Sequence, residues 1–190
     1  MQNDREEKDM GLDLYIEARI KEKETGRVIS YGSDDPYVEE ETRGFFEICW
    51  WCGWDCCDIR DKMIEICNSH AGTGYTNSDF KIPIPPSALR DIYAYIVNRC
   101  YLSDDEPFGD IQYEEEWYEW EERRTYERAN LTNADKLFDL IRILEEIKYL
   151  KYMPDYRFLY KENISNESDL RRFVDNPLAY EWEFRIWNSY

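Results

Sequence analysis

Both ends of the chain carry the same alternating signature. Leu12, Leu14, Ile16, Ala18 and Ile20 fall on every second position, and near the C-terminus Tyr180, Trp182, Phe184 and Ile186 alternate with Glu181, Glu183 and Arg185. Successive side chains of a strand point to opposite faces, so each segment reads as a strand with one buried face. Glu24-Thr25-Gly26 supplies a turn after the first, and the alternation resumes to Tyr31, which predicts an N-terminal hairpin. Helical spacing dominates the middle of the chain. Strands at the ends with helices between them imply an α+β domain, with the hairpin and the C-terminal strands in one antiparallel sheet packed on about four central helices.

Residues 1–9 are polar and read as a disordered extension, with Met10 as an alternative start, and residues 10–190 form a single domain without a Ser/Gly/Pro-rich linker. Gly32, Asp34, Asp35, Pro36 and Gly44 mark a loop that carries the acidic run Glu39-Glu40-Glu41. Phe45 to about Ser69 reads as one long helix, stopped by Gly72 and Gly74. A strand follows at Phe80–Ile84, then a helix from Pro85-Pro86-Ser87 to about Leu102 and another over 111–129. Thr132 is placed to cap a fourth helix, with Asp135 three residues on and Leu137, Leu140, Ile141, Leu144 and Ile147 as its core stripe, ended by Pro154. Tyr156, Phe158 and Tyr160 alternate as a further strand, and 168–174 forms a short helix.

Hydrophobic residues make up 43% of the 190, enough for a core, but 42 acids against 24 bases leave a formal charge of −18. That charge rules against direct binding to nucleic acid or anionic membranes, which need positive surface, and makes a basic protein the natural partner. No apolar run reaches the length of a membrane span and the N-terminus is too charged for a signal peptide, so a cytoplasmic protein with reduced thiols is expected.

EICWWCGWDCCDI, residues 47–59, holds four of the six cysteines. Cys49-x2-Cys52 and Cys67-x2-His70, with the chain's only histidine, spell out a Cys3His zinc site or the centre of a small enzyme. Against this, Phe45, Cys49, Cys52, Cys56, Ile59, Met63, Ile66 and His70 recur at steps of three and four, one stripe of a helix. On a continuous helix Cys49 and Cys67 stand about 27 Å apart, too far to share an ion, and Gly53 is the only candidate break. Buried thiols are the expected reading, with no metal and no cofactor. A redox role for Cys49-x2-Cys52 or Cys56-Cys57 lacks a nearby cation, and His70 lacks an orienting partner. Trp50, Trp51 and Trp54 read as core, with one of them exposed as a partner anchor the alternative.

The other unusual stretch is SDDEPFGDIQYEEEWYEWEE. It carries Asp104, Asp105, Glu106, Asp110, Glu114, Glu115, Glu116, Glu119, Glu121 and Glu122 and no base, while Tyr113, Trp117 and Trp120 recur at helical spacing. Such a helix repels itself by a few tenths of a kcal/mol per like-charged i,i+4 pair, which a basic partner would offset. Carboxylates interleaved with aromatics can take the places of phosphates in an Arg/Lys-lined groove. The bland alternative is a solvated acidic face. Paired carboxylates serve as acid and base or hold Mg²⁺ only with a pocket around them, and no Gly-rich phosphate loop, serine nucleophile elbow or HExxH occurs.

Met10-Gly11-Leu12-Asp13-Leu14-Tyr15 resembles the MGLDMYL opening of a set of small bacteriophage and prophage proteins. Ile48-Cys49-Trp50-Trp51, the strand Phe80–Ile84 and Tyr113 to Tyr118 follow in the matching order over about residues 10–150. Leu14 stands where those proteins usually have Met, and Ile59 and Asp61 where their histidine and tryptophan are expected, so no family site carries over. The resemblance implies a phage or mobile-element origin, and small acidic proteins of that origin include inhibitors of host nucleases, anti-CRISPR proteins among them. The expected function is therefore a non-enzymatic, DNA-mimic-like inhibitor that binds a basic host protein, such as a Cas effector or restriction nuclease. Residues 103–122 and Glu39, Glu40 and Glu41 are its contact carboxylates. An acidic virion or assembly protein is the further alternative.

Overall fold

The computed structural model describes residues 13–30, 37, 39, 41–52, 56–102, 131–153, 158–164 and 166–189. The two ends of this body are neighbours: β1 (Asp13–Glu22) and β4 (Tyr180–Ser189) pair antiparallel over their full length, with Asp13 opposite Ser189 and Glu22 opposite Tyr180. β2 (Phe46–Cys52) joins the other side of β1 and β3 (Lys81–Ile84) the other side of β4, giving one antiparallel sheet in the order β2-β1-β4-β3. The class is α+β, as the alternation at the two ends requires.

Helices cover one face of the sheet. Leu14, Ile16, Ala18 and Ile20 of β1 and Tyr180, Trp182, Phe184 and Ile186 of β4 are buried. They share one core with α1 (Cys56–Ala71), α2 (Leu89–Leu102), α3 (131–145), α4 (Phe158–Lys161) and α5 (Glu167–Asp175). Phe173 of α5 anchors an aromatic cluster, edge-on to Tyr160 at 5.4 Å and to Tyr180 at 5.3 Å. α1 ends as glycine predicts: Gly72 takes φ 65° and its N–H donates to the Asn68 carbonyl. At α5, Asn166 caps the N-terminus by accepting from the N–H groups of Ser168 and Asp169.

The long helix expected from Phe45 to Ser69 is two elements. Its first half is the edge strand β2, paired with β1 from Asp13 opposite Cys52 to Ala18 opposite Phe46; its second half is α1. The Cys56, Ile59, Met63, Cys67 side of the stripe is a buried helical face, whereas Phe46, Cys49 and Trp51 are buried because alternate strand positions face the core. A register shift between Ile16 and Glu17 places a bulge at Ile48 and breaks the two-residue period there.

The expected strand at Tyr156–Tyr160 is instead the helical turn α4 from Phe158 onward. Thr132 lies inside α3 and does not cap it; the stripe from Leu137 to Ile147 is buried or half-buried, with the helical path giving way to a 3-10 segment at Ile147–Tyr152 before Pro154. The N-terminal hairpin turns at Glu22–Arg27, and among the described residues its second arm bridges β1 at Lys21 and Val28 and through the Ile29 N–H, which donates to the Ile20 carbonyl; β2 pairs with β1 from Ala18 on. The extension over 1–9 and the helix expected over 111–129 lie outside the described residues. Among the described residues no helix is long and apolar enough to cross a membrane.

Candidate functional site

The face of the sheet away from the helices carries the other half of each alternation, and it is a ladder of opposite charges. Across β1 and β4, Glu17 stands opposite Arg185 and Arg19 opposite Glu183. Arg185 Nε meets Glu17 Oε2 at 2.6 Å, Arg19 Nε meets Glu183 Oε2 at 2.5 Å, and Lys21 Nζ reaches Glu183 Oε1 at 2.8 Å. Burial pushes Glu183 up, but the hydrogen bonds from Lys21 and Arg19 outweigh it and hold its carboxyl below the usual range. With Glu181 4.0 Å from Lys21 Nζ, the three bases that β1 and β4 put on this face meet three carboxylates within the fold.

Residues 41–45 cross the same face towards β2. The Glu39 carbonyl accepts from the N–H of Thr42 and of Arg43. The Phe45 ring packs under both guanidiniums, 3.8 Å from Arg185 and 4.6 Å from Arg19. Gly44, at φ 73°, is required here: a Cβ would stand 2.2 Å from Val28 Cγ1. Ser30 Oγ donates to the Gly44 carbonyl at 2.5 Å and accepts from the Ile20 N–H, pinning the crossing to β1. The crossing leaves its acids outward. Glu41 is exposed, and Glu39, 82% exposed at its side chain, is only 4.0 Å from Lys81 Nζ.

Of the expected contact carboxylates, Glu39 and Glu41 are thus placed on one exposed surface. Glu40 and residues 103–122, with Asp104, Asp105, Glu106, Asp110, Glu114, Glu115, Glu116, Glu119, Glu121 and Glu122, lie outside the described residues.

The cysteines are distributed over two elements. Cys49 on β2 and Cys67 on α1 are both buried; burial pushes both thiols up, that of Cys67 to about 11. Cys49 Sγ contacts the Asn133 carbonyl at 3.6 Å. His70 has the partners the sequence does not reveal: its Nδ1 lies 3.0 Å from Ser87 Oγ and its Nε2 2.8 Å from Asp91 Oδ2. These contacts clip the end of α1 to the start of α2. A hydroxyl, an imidazole and a carboxylate in line are also the connectivity of a general-base relay, here with Ser87 and Asp91 exposed. Cys49, Cys56, Cys57 and Cys67 carry thiols, not disulfides. Among the described residues no three His, Cys, Asp or Glu side chains gather as metal ligands, and the side chain of Cys52 is outside them. Cys49 and Cys67 do not share one continuous helix, because β2 ends at Cys52 and α1 begins at Cys56.

Of the tryptophans in 47–59, Trp51 is core and Trp50 is 44% exposed. Trp50 sits on the edge strand, and Asn133 of α3 closes that edge. Its Nδ2 donates to the Trp50 carbonyl at 2.7 Å and its Oδ1 accepts from the Trp50 N–H at 3.3 Å. Asn133 is buried, and this residue, invisible to periodicity, stands in for a neighbouring strand.

At the opposite edge a groove of about 480 Å³ opens where β3 stops. Phe45, Pro83, Ile84, Pro86 and Trp182 supply its apolar lining, and Lys81, Glu41 and Arg185 stand on its walls. Comparison with protein-family models, curated proteins and solved structures finds no match for this chain.

Proposed function

We propose that this protein is an acidic inhibitor that occupies a basic surface of a nucleic-acid-handling host defence protein, acting in the host cytoplasm. The observation that carries the reading is the run of ten acids without a base between Ser103 and Glu122, in a chain of net charge −18. Pairing on the sheet supports it. Arg19, Lys21 and Arg185 are matched by Glu17, Glu181 and Glu183, so they do not offset the acids elsewhere in the chain. Glu39 and Glu41 add exposed carboxylates at the start of the crossing that Ser30 holds at Gly44. The likeness of Met10–Tyr15 to phage proteins supports a mobile-element origin.

Carboxylates that stand in for phosphates act over long range and are screened by salt. Binding to a Cas effector or a restriction nuclease is expected to weaken about tenfold or more between about 50 and 200 mM salt, and to weaken similarly when Glu114, Glu115 and Glu116 are changed together to Lys. Titrating the protein against the nuclease by calorimetry at several salt concentrations checks both. Salt-insensitive binding overturns the mimic reading, and stable self-association without a nuclease partner favours an assembly protein.

A further inference from the structure

The groove beside β4 exists because two prolines stop β3. Lys23 N–H donates to the Ala179 carbonyl, continuing the β1–β4 register, so the odd-numbered residues of β4 turn their backbone groups towards β1 and the even-numbered ones towards β3. Ile186 and Phe184 face Ile82 and Ile84 in that way. In the same register the partner of Trp182 is residue 86. Pro86 has no N–H, and its carbonyl is taken by the Leu89 N–H at the start of α2. No described residue donates to or accepts from the outward N–H and C=O of Trp182. Two residues back, Tyr180 presents its carbonyl on the same side, while its N–H is held by the Pro177 carbonyl.

We infer that this notch receives a short extended peptide from a partner protein, which adds to β4 as the continuation of β3. A donor and an acceptor on one residue, followed by an acceptor two residues away, are what an extended backbone pairs with in strand addition. The groove's volume of about 480 Å³ holds a few residues. Phe45, Pro83 and Pro86 would contact an apolar side chain of the incoming strand. The lining does not select strongly for charge, because Arg19 and Arg185 are already matched by Glu183 and Glu17 and the walls add one charge of each sign, Lys81 and Glu41. The site is separate from residues 103–122 and stands or falls independently of the inhibitor reading.

The test uses the full chain, ¹⁵N-labelled, and acetylated, amidated pentapeptides of the form Ser-Thr-X-Thr-Ser, with X valine, leucine or phenylalanine. Each has a twin methylated at the backbone nitrogens of the two threonines flanking X, the groups that face Trp182 and Tyr180 when the X side chain lies on the Phe45 and Pro83 side. The Trp182 amide is expected to shift on titration, to saturate with Kd on the order of 1 mM or tighter, and to exchange with solvent about tenfold more slowly when saturated. The methylated twins are expected to lose most of that binding.

Replacing Pro85-Pro86 by Thr-Val lets β3 continue, and this variant, checked for folding by circular dichroism, should protect Trp182 and no longer bind. Three results overturn the proposal. One is that no peptide moves the Trp182 amide up to about 5 mM. Another is that the methylated twins or the Thr-Val variant bind as well as the originals. The last is that Trp182 in the free protein is already as protected as Phe184, which would mean the chain fills its own notch.

Discussion

The two edges of the sheet solve the same problem in opposite ways. A strand edge presents unpaired N–H and C=O groups and invites another chain. At β2 a buried side chain from α3, Asn133, satisfies both outward groups of Trp50. At the other edge β3 covers four residues of β4 and contains Pro83, a residue suited to an edge because it offers no donor; beyond it, Trp182 is left open over a groove. One small sheet thus has an edge that Asn133 closes and an edge where, among the described residues, Trp182 has no backbone partner and where we propose that a partner strand adds.

The sharpest way to break this contrast is to open the closed edge. Asn133→Leu keeps the bulk and removes both hydrogen bonds, leaving the Trp50 N–H and C=O without their amide partner. At about 1–3 kcal/mol for each unsatisfied group, a loss of about 3 kcal/mol is expected in urea denaturation. The exposed edge should then pair with a second copy, read as concentration-dependent dimerisation by sedimentation. A stable, monomeric Asn133→Leu variant would show that the amide is not what closes β2.

The open edge is held at its far end by charge. Asp169 of α5, 6% exposed at its side chain, accepts from Arg27 Nη1 and Nη2 at 2.9 and 2.8 Å and from Arg172 at 2.5 Å, tying α5 to the hairpin turn near the start of β4. The hydrogen bonds from Arg27 hold the Asp169 carboxyl below its ordinary value. A carboxyl lowered in the folded state contributes stability that is full above the unfolded value, about 3.9, and is lost as pH falls through the folded one. Asp169→Asn should therefore cost about 2 kcal/mol at neutral pH, and the gap to the unaltered protein should narrow on acidification, as followed by thermal unfolding at a series of pH values. A gap that stays constant down to about pH 2 would remove the ion pair from the account of this end.

The difference between the edges also explains what the sequence could convey. β1 and β4 were legible because each buries one face along its whole length, so polarity alternates without interruption from Leu14 to Ile20 and from Tyr180 to Ile186. β2 was not. Its bulge at Ile48 puts Ile48 and Cys49 both in the core, and Trp50 keeps an apolar residue on the outer face, so Phe45, Cys49, Cys52 and Cys56 mimic a helical stripe that runs unbroken into α1. Pairing with β1 overrides the helical spacing, a tertiary choice that no local pattern records. The same holds for the sites. Glu39 and Glu41 could be named from the acidic run, but the Asn133 clip and the Trp182 notch are backbone features, and backbone groups have no residue code. Pro85-Pro86 was the one readable signal of the notch, and it reads equally well as the start of α2.

The smallest expected effect separates the side chain of Trp50 from its backbone. Trp50 is opposite Tyr15 in the register and 44% exposed, so Trp50→Ala removes part of a cross-strand contact and little buried area. Its N–H and C=O stay in place for Asn133. A loss of about 1 kcal/mol or less in urea denaturation is expected, well below that of Asn133→Leu, with no new dimerisation. If Trp50→Ala instead matches Asn133→Leu in both stability and association, the indole and not the amide clip is what shields β2.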